Sequence, residues 1–411
     1  MKVNGIVAEY NPFHNGHKYH LEDARKRNGA DYTVVVMSGN FVQRGAPALL
    51  DKFSRARMAL SCGADLVLEL PVFYAVSSAE YFATGAVALL DKLGVVDHLC
   101  FGSECGDLAI LSRIAHILLT EPAEYTALLK DNLKQGHSYP NARTGALIQY
   151  DPSLSSSRDV LSSPNNILGI EYLKALKRRE STILPDTTLR IGSDYRDKRL
   201  GDHQSSALAI RHAISSGQDH SFLINQMPEC AYQITKKALE QSLTLEVNDF
   251  SAALHYKLLQ EKEKGYTEYL DVSPDLSERI LNNLDDFTGF QDFCDLLKSK
   301  DMTYTRISRC LLHILLDIRT SALNSYRSMD YVPYARVLGF RKEASPLLAA
   351  IKEHASIPLI TKLADAGTLL GSEAYNMLQR ELSVNSIYQS GLSLKSGRPM
   401  PNEYRTPIVI L

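Results

Sequence analysis

Two histidines bracket an Asn-Gly pair in the stretch NPFHNGH, Asn11–His17, between a strand-like run and a helix-like run. Three chemistries suit those residue types. Asn-Gly favours a type I′ hairpin turn, yet the following HKYHLEDARKRNGA has helical composition rather than alternating strand character. His14, His17 and His20 are spaced three apart and would gather imidazoles for a metal. However, Pro12 and Gly16 place the helix start near Gly16, with His14 before it, and no nearby cysteine or carboxylate cluster completes a tetrahedral zinc sphere, so no metal ligands are assigned. The third is a phosphate cradle. Gly16 allows a ligand to approach the backbone at the first turn of a helix, where free N–H groups and the helix dipole favour anions. His14 and His17 beside that turn would donate hydrogen bonds to phosphoryl oxygens, more strongly as those oxygens gain charge in a transition state. Position between strand and helix favours the cradle.

The block MSGNFVQRG, Met37–Gly45, follows a second strand and should open onto the same crevice. Ser38, Asn40, Gln43 and Arg44 are its candidate contacts, against the plainer reading of a polar surface loop. Asp51, Lys52 and Arg55 read as a capped, solvated helix start.

The elements that position these residues alternate. KVNGIVAEY reads as a strand, a helix follows from about Gly16 to Arg27, and TVVVMSG has the β-branched character of a buried parallel strand. A helix from about Phe53 to Cys62, the strand DLVLELP, the helix SAEYFATGAVALLDKLG and the short strand DHLCFGSE continue the pattern. The serine-rich run 151–166 reads as a mobile loop before helix NILGIEYLKALKRR, and STILP or TTLRIG supplies a last strand before a helix near Ser205. This alternation predicts an α/β, Rossmann-like domain with a parallel sheet over residues 1–220, its ligand crevice at the carboxyl ends of the strands. From about Ser221 the pattern is nearly all helical, predicting a separate helical domain over 221–411.

Length and composition agree with two domains: 411 residues, 45% hydrophobic. The N-terminus lacks the features of a secretory signal and no apolar run reaches the roughly 18 residues of a membrane span, so a cytoplasmic protein with no membrane partner is expected. The six cysteines are scattered without a C-x-x-C pair and read as reduced, mostly structural thiols. Net charge is −2, and neither half has a basic excess, so any RNA contact has to come from local patches.

HNGH resembles the H-x-G-H signature of the nucleotidyltransferase superfamily, in which it binds ATP phosphates. FGSE, Phe101–Glu104, stands at a strand end as a similar sequence does in adenylyltransferases, although a simple turn also explains it. SSALAIR, Ser205–Arg211, is similar to the superfamily's late phosphate-binding segment, with Ala207 where threonine is expected and with Ser205, Ser206 and Arg211 retained; a helix N-cap explains the serines equally well. Longer blocks, GIVAEYNPFHNGHKYHLEDAR, MSGNFVQRGAPALLDKFSRARMAL, GADLVLELP, SSPNNILGIEYLKAL, TYTRISRCLLHIL and YARVLGF, resemble the bacterial tRNA(Met) cytidine acetate ligase family in order along the chain.

That resemblance implies an ATP-dependent ligase that activates acetate as acetyl-adenylate and acetylates the wobble cytidine of elongator methionine tRNA. It places ATP on Val7, Ala8, Glu9, Tyr10, Asn11, Pro12, Phe13, His14, Asn15, Gly16, His17, Lys18, Tyr19 and His20, on Gly102, on Asn165 or the adjacent Asn166, and on Arg190. Ser206 and Arg211 would contact phosphate, and His14 and His17 would steady the phosphates during adenylylation. Mg2+ would be bound through the phosphates. Ser38, Asn40, Gln43 and Arg44 become candidates for acetate or tRNA. The basic groups Lys174, Lys177, Arg178 and Arg179, then Arg196, Lys198 and Arg199, then Lys298, Lys300, Arg306 and Arg309 become candidates for tRNA, against the plainer reading of solvated helix faces. Tyr304, within the last group, suits either stacking on a base or packing in the core. Two other functions fit the residues: an adenylyltransferase acting on a small phosphorylated acceptor, and a non-catalytic RNA-binding protein. No oligomeric state is assigned.

Overall fold

The computed structural model describes residues 1–190, 205–216, 220–300 and 302–411. Strand β1 (Val3–Ala8) leads into helix α1 (Asn15–Asn28), followed by β2 (Tyr32–Ser38), α2 (Lys52–Ser61), β3 (Leu66–Leu70), α3 (Ala79–Lys92) and β4 (His98–Ser103). Helix α4 (Pro164–Arg178), β5 (Leu184–Leu189) and α5 (Ala207–Ser215) complete the first half. Among the later elements are α6 (Tyr304–Leu315), β6 (Ala335–Phe340), α7 (Ser372–Ser396) and β7 (Val409–Ile410).

The strands order as β7-β6-β3-β2-β1-β4-β5. From β3 to β5 all pairings are parallel. Strand order reverses at β1, which lies between β2 and β4, so the crevice at the carboxyl ends of β1 and β4 is the switch point where such sheets bind ligands. Period-two alternation sorts the two faces. Ile6, Val35, Val67 and Cys100 pack with Phe13, Leu21 and Ala24 near and on α1, and with Ala56 and Ala59 of α2. Val34, Val36, Leu68, Leu99 and Phe101 pack on the opposite face with Phe82 and Ala86 of α3 and with Tyr172 and Ala175 of α4.

The expectation of a helical unit separate from residue 221 onward is corrected at YARVLGF. Residues Ala335–Phe340 pair antiparallel with β3, Leu359–Ile360 pairs with β6, and β7 pairs with β6. The physical reason is edge protection: β3 is buried along its whole length, and an uncovered edge there would leave its backbone groups without partners. The reading of 151–166 as a mobile loop is also corrected. Pro152–Ser162 forms 3-10 turns capped by Asp151, and Leu154, Val160 and Leu161 between the serines are buried.

Lys52 and Arg55 are not a solvated helix start. Asp51 does cap α2, accepting from the Phe53 and Ser54 amides at 2.9 and 3.1 Å, but both cations are buried. Lys52 Nζ donates to Glu69 at 2.7 and 2.9 Å and to Glu403 at 2.9 Å. Burial works against its ammonium, but the Glu403 and Glu69 carboxylates outweigh it and raise the lysine pKa. Arg55 donates to the carbonyls of Leu50, Glu9, Ser38 and Gly39, tying together the ends of β1 and β2. No helix among the described residues is long and apolar enough to cross a membrane.

Candidate active site

A cleft opens at the ends of β1 and β4. Val7 to Asn11 form its floor and His14, Gly16, His17, Tyr19 and His20 one wall, with Gly102, Asn165, Arg190, Ser206 and Arg211 around them. Gln43 and Arg44 reach it from the hairpin that pairs Phe41–Val42 with Ala46–Pro47. Pro12, Phe13, Asn15 and Lys18 do not line it; Phe13 is fully buried in the core beneath α1.

The two histidines of HNGH hold each other. His14 is the N-cap of α1: its Nδ1 accepts from the Gly16 amide at 3.1 Å, while His17 Nδ1 accepts from the His14 amide at 3.2 Å. This is a capping box built from imidazoles, and it fixes the tautomers. A ring nitrogen that accepts carries no proton, so in each neutral ring the proton sits on Nε2, a donor left for a ligand. The rings lie 3.8 Å apart between centroids. Gly16 is required here because a Cβ would stand 2.9 Å from His14 Cε1 and 3.1 Å from its Nδ1. Tyr10 supports His17 edge-on at 4.9 Å.

Both imidazoles are uncharged. Burial, with Arg190 and Arg211 nearby, pushes His14 down to about 3; burial, His14 and Arg190 hold His17 well below its usual range. His20, one turn on, falls to about 4 for the same first reason, with Arg190 and Arg27 adding to it. Positive charge in the cleft therefore comes from guanidinium groups. Arg190 lies along β4, where its Cγ is 3.3 Å from the place a Cβ on Gly102 would take, so glycine leaves room for that side chain. Arg211 donates to the Asn11 carbonyl, fastening α5 to the loop before α1. Ser206 caps α5, accepting from Ala209 N at 3.1 Å.

The two asparagines of SSPNN separate in space. Asn166 is buried and its Oδ1 accepts from the Glu104 and Cys105 amides at 2.9 and 3.1 Å. Glu104 returns the contact, accepting from Asn165 Nδ2 at 2.7 Å and from the Asn166 amide at 2.8 Å. Asn166 is thus a clamp between β4 and α4, and Asn165 is the one that lines the cleft.

Within MSGNFVQRG the structure corrects two residues. Ser38 and Asn40 do not line the cleft: both are buried, the Ser38 carbonyl takes Arg55, and Asn40 bridges the Lys52 amide (2.7 Å) to Asn385. Alternation at the end of β2 turns them inward. Gln43 and Arg44 do line it, and the Gln43 amide donates to Glu9 at 2.8 Å. The hairpin then docks on α6. Gly45 has φ 78°, a Cβ on it would lie 2.4 Å from Arg309 N, and its carbonyl accepts from Ser308 Oγ at 2.7 Å.

Of the basic groups, Lys174 is buried against Glu171 at 2.8 Å, Arg178 pairs with Glu80 at 2.7 Å, and Arg179 pairs with Asp91 and Asp330 at 3.1 and 2.7 Å. Lys177 is exposed. Lys298 pairs with Asp295 at 3.0 Å, Lys300 and Arg306 are exposed, and Arg309 is half-buried. Arg196, Lys198 and Arg199 lie outside the described residues. Tyr304 packs against the core. Sequence reasoning missed the apolar lining: Phe82, Phe101, Leu168, Tyr172 and Leu189. The spacing of Asn165, Leu168 and Tyr172, one face of α4, was the available signal.

Residues 1–399 match the HIGH Nucleotidyl Transferase family. A tRNA(Met) cytidine acetate ligase of Acetivibrio thermocellus is 40% identical over 415 residues, covering 100% of both chains, and one of Clostridium acetobutylicum is 41% identical with the same coverage. Among solved structures, Thermotoga maritima TmcAL superimposes with a TM-score of 0.93 in its apo form and 0.90 when bound with alpha-thio ATP. Each shares 31% identity with this chain, with 100% of both chains covered.

Proposed function

Since the chain belongs to the tRNA(Met) cytidine acetate ligases of the HIGH nucleotidyltransferase family, we propose that its cleft performs both halves of that ligation. The protein is an ATP-dependent ligase that acetylates tRNA cytidine. In our reading ATP lies across the ends of β1 and β4, its phosphates on the α1 N-terminus, His14 and His17 Nε2, Arg190 and Arg211, with Asn165 and Gly102 beside the nucleoside. A carboxylate oxygen of acetate attacks the α-phosphorus, the bond to the bridging oxygen breaks, and pyrophosphate leaves toward the histidines and arginines. The exocyclic amine of the wobble cytidine in elongator methionine tRNA then attacks the acetyl carbonyl carbon, expelling AMP and losing a proton to water. No protein nucleophile is needed; positioning and charge stabilisation carry the rate.

The observation that carries this reading is the reciprocal imidazole cap, which supplies two neutral Nε2–H donors at a helix N-terminus next to two guanidinium groups. Neutral donors can follow the developing charge on pyrophosphate without binding the product as an imidazolium would. Mg2+ fits as an ion carried by the phosphates: Glu9 is the carboxylate lining the cleft, and no group of three His, Cys, Asp or Glu among the described residues could hold a metal. When bound it would supply further positive charge to the phosphate oxygens. The exposed Arg306, on the helix that receives the Gln43-Arg44 hairpin, is proposed to meet the tRNA backbone, with Arg309 beside it, Lys177 and Arg178 forming a second contact. The use of ATP and tRNA as substrates supports a cytoplasmic location, which is part of the proposal.

Incubation with ATP, labelled acetate and total tRNA, followed by nucleoside analysis, tests the whole. Labelled N4-acetylcytidine is expected in methionine tRNA. Acetate-dependent exchange of pyrophosphate into ATP without tRNA tests the first half alone, and absence of that exchange would overturn the acetyl-adenylate.

A further inference from the structure

The cleft extends under the strand ends into a recess between α3 and α4. Strand alternation puts it on the face away from α1 and α2: Phe101 points there, while Cys100 points to the other side. Phe82, Phe101 and Leu168 make its walls apolar. A polar atom interrupts them. Tyr172 is 2% exposed, lines the cleft, and its hydroxyl has no hydrogen-bond partner among the described residues. Its ring is held against Phe101 at 5.7 Å. A hydroxyl buried without a partner carries a desolvation cost that nothing in the free protein offsets, and where it lines a cavity a ligand acceptor removes that cost. Burial, with the Glu9 carboxylate as a second cause, holds the phenol well above its usual range, so it remains a donor at every physiological pH.

We propose that this recess is the site of the acid that is activated: the Tyr172 hydroxyl donates to the carboxylate oxygen that does not attack, and Phe82 and Phe101 close around a substituent of methyl size. The inference rests on the acetyl-transfer reading above. In-line displacement supports the placement. The groups assigned to pyrophosphate, His14, His17, Arg190 and Arg211, stand on the α1 and α5 side, so the attacking oxygen has to arrive from the opposite side of the α-phosphorus, where the recess lies. The Gln43 amide already engages the Glu9 carboxylate at 2.8 Å, and Arg44 lines the same cleft.

Tyr172→Phe removes one oxygen and no hydrogen bond among the described residues. In acetate-dependent pyrophosphate exchange, its KM for acetate is expected to rise about tenfold or more, with KM for ATP within about twofold and a melting temperature equal to or above that of the unsubstituted protein. An acetate KM within about twofold, or an equal rise in both KM values, overturns the proposal. Phe82→Leu is expected to raise the ratio of kcat/KM for butyrate over acetate by about tenfold or more; an unchanged ratio in a folded protein overturns the steric part. Absence of exchange with acetate in the unsubstituted protein would instead remove the acetyl-transfer reading itself, whereas exchange unaffected by Tyr172→Phe removes only the recess.

Discussion

His14 has two duties that substitution can separate. Its Nδ1 caps α1 by accepting from Gly16, and its Nε2–H is assigned to phosphate. His14→Asn keeps a side-chain acceptor at the cap, since asparagine is among the best N-caps, but its amide is too short to reach the position of Nε2. His14→Ala removes both. Loss of one donor to a developing oxyanion costs about 10²–10³ in turnover, so both variants should fall by that factor in acetate-dependent pyrophosphate exchange. Loss of the cap costs about 1 kcal/mol, so urea unfolding should show His14→Ala less stable by that amount and His14→Asn within about 0.5 kcal/mol of the unsubstituted protein. Gly16→Ala provides a third arm that leaves both histidines unsubstituted. Its Cβ would stand 2.9 Å from His14 Cε1, evict the ring, and reproduce the loss of exchange. If His14→Asn keeps more than about a tenth of the original rate, the Nε2 donor is not part of the chemistry and the reasoning fails.

Three further outcomes follow from the same geometry. His14, His17 and His20 stay uncharged in the fold, whereas the unfolded chain protonates them near 6.5; the unfolded state then binds more protons, so stability is full above that pH and declines as pH falls toward about 4 and then about 3, which urea midpoints against pH will read, a flat profile counting against buried neutral imidazoles. Lys52→Met leaves the Glu69 and Glu403 carboxylates buried without their ammonium and should cost about 3–5 kcal/mol in urea unfolding, with the segment around Glu403 released to protease; a loss under about 1 kcal/mol would refute the network. Arg306→Ala should weaken tRNA binding and lower its log-log salt slope by about 1 while leaving tRNA-independent exchange intact, and an unchanged slope would remove Arg306 from the RNA surface.

Much of the first half was legible because its signals are local. The alternation of β-branched runs with amphipathic helices specified the crossovers, and HNGH between a strand and a helix specified an anion site, since cap chemistry and helix dipoles act within one turn. The reversal of strand order at β1 then had only to bring FGSE and SSALAIR to the same crevice. What the sequence by itself did not determine were the facts that depend on distant partners. Lys52 and Arg55 look solvated beside Asp51, but Lys52 meets carboxylates 17 and 351 residues away, and no local spacing encodes that. The same holds for Ala335–Phe340, a strand only because β3 offers an edge, and for Asn165 and Asn166, identical in chemistry and both held by the Glu104 carboxylate, but separated because the Glu104 and Cys105 amides engage only the Asn166 oxygen. The Tyr172 hydroxyl belongs here too: helical spacing puts the residue on a face of α4, but only the packing of α3 against α4 over the end of β4 makes that face the wall of a cavity and leaves the hydroxyl without a partner among the described residues.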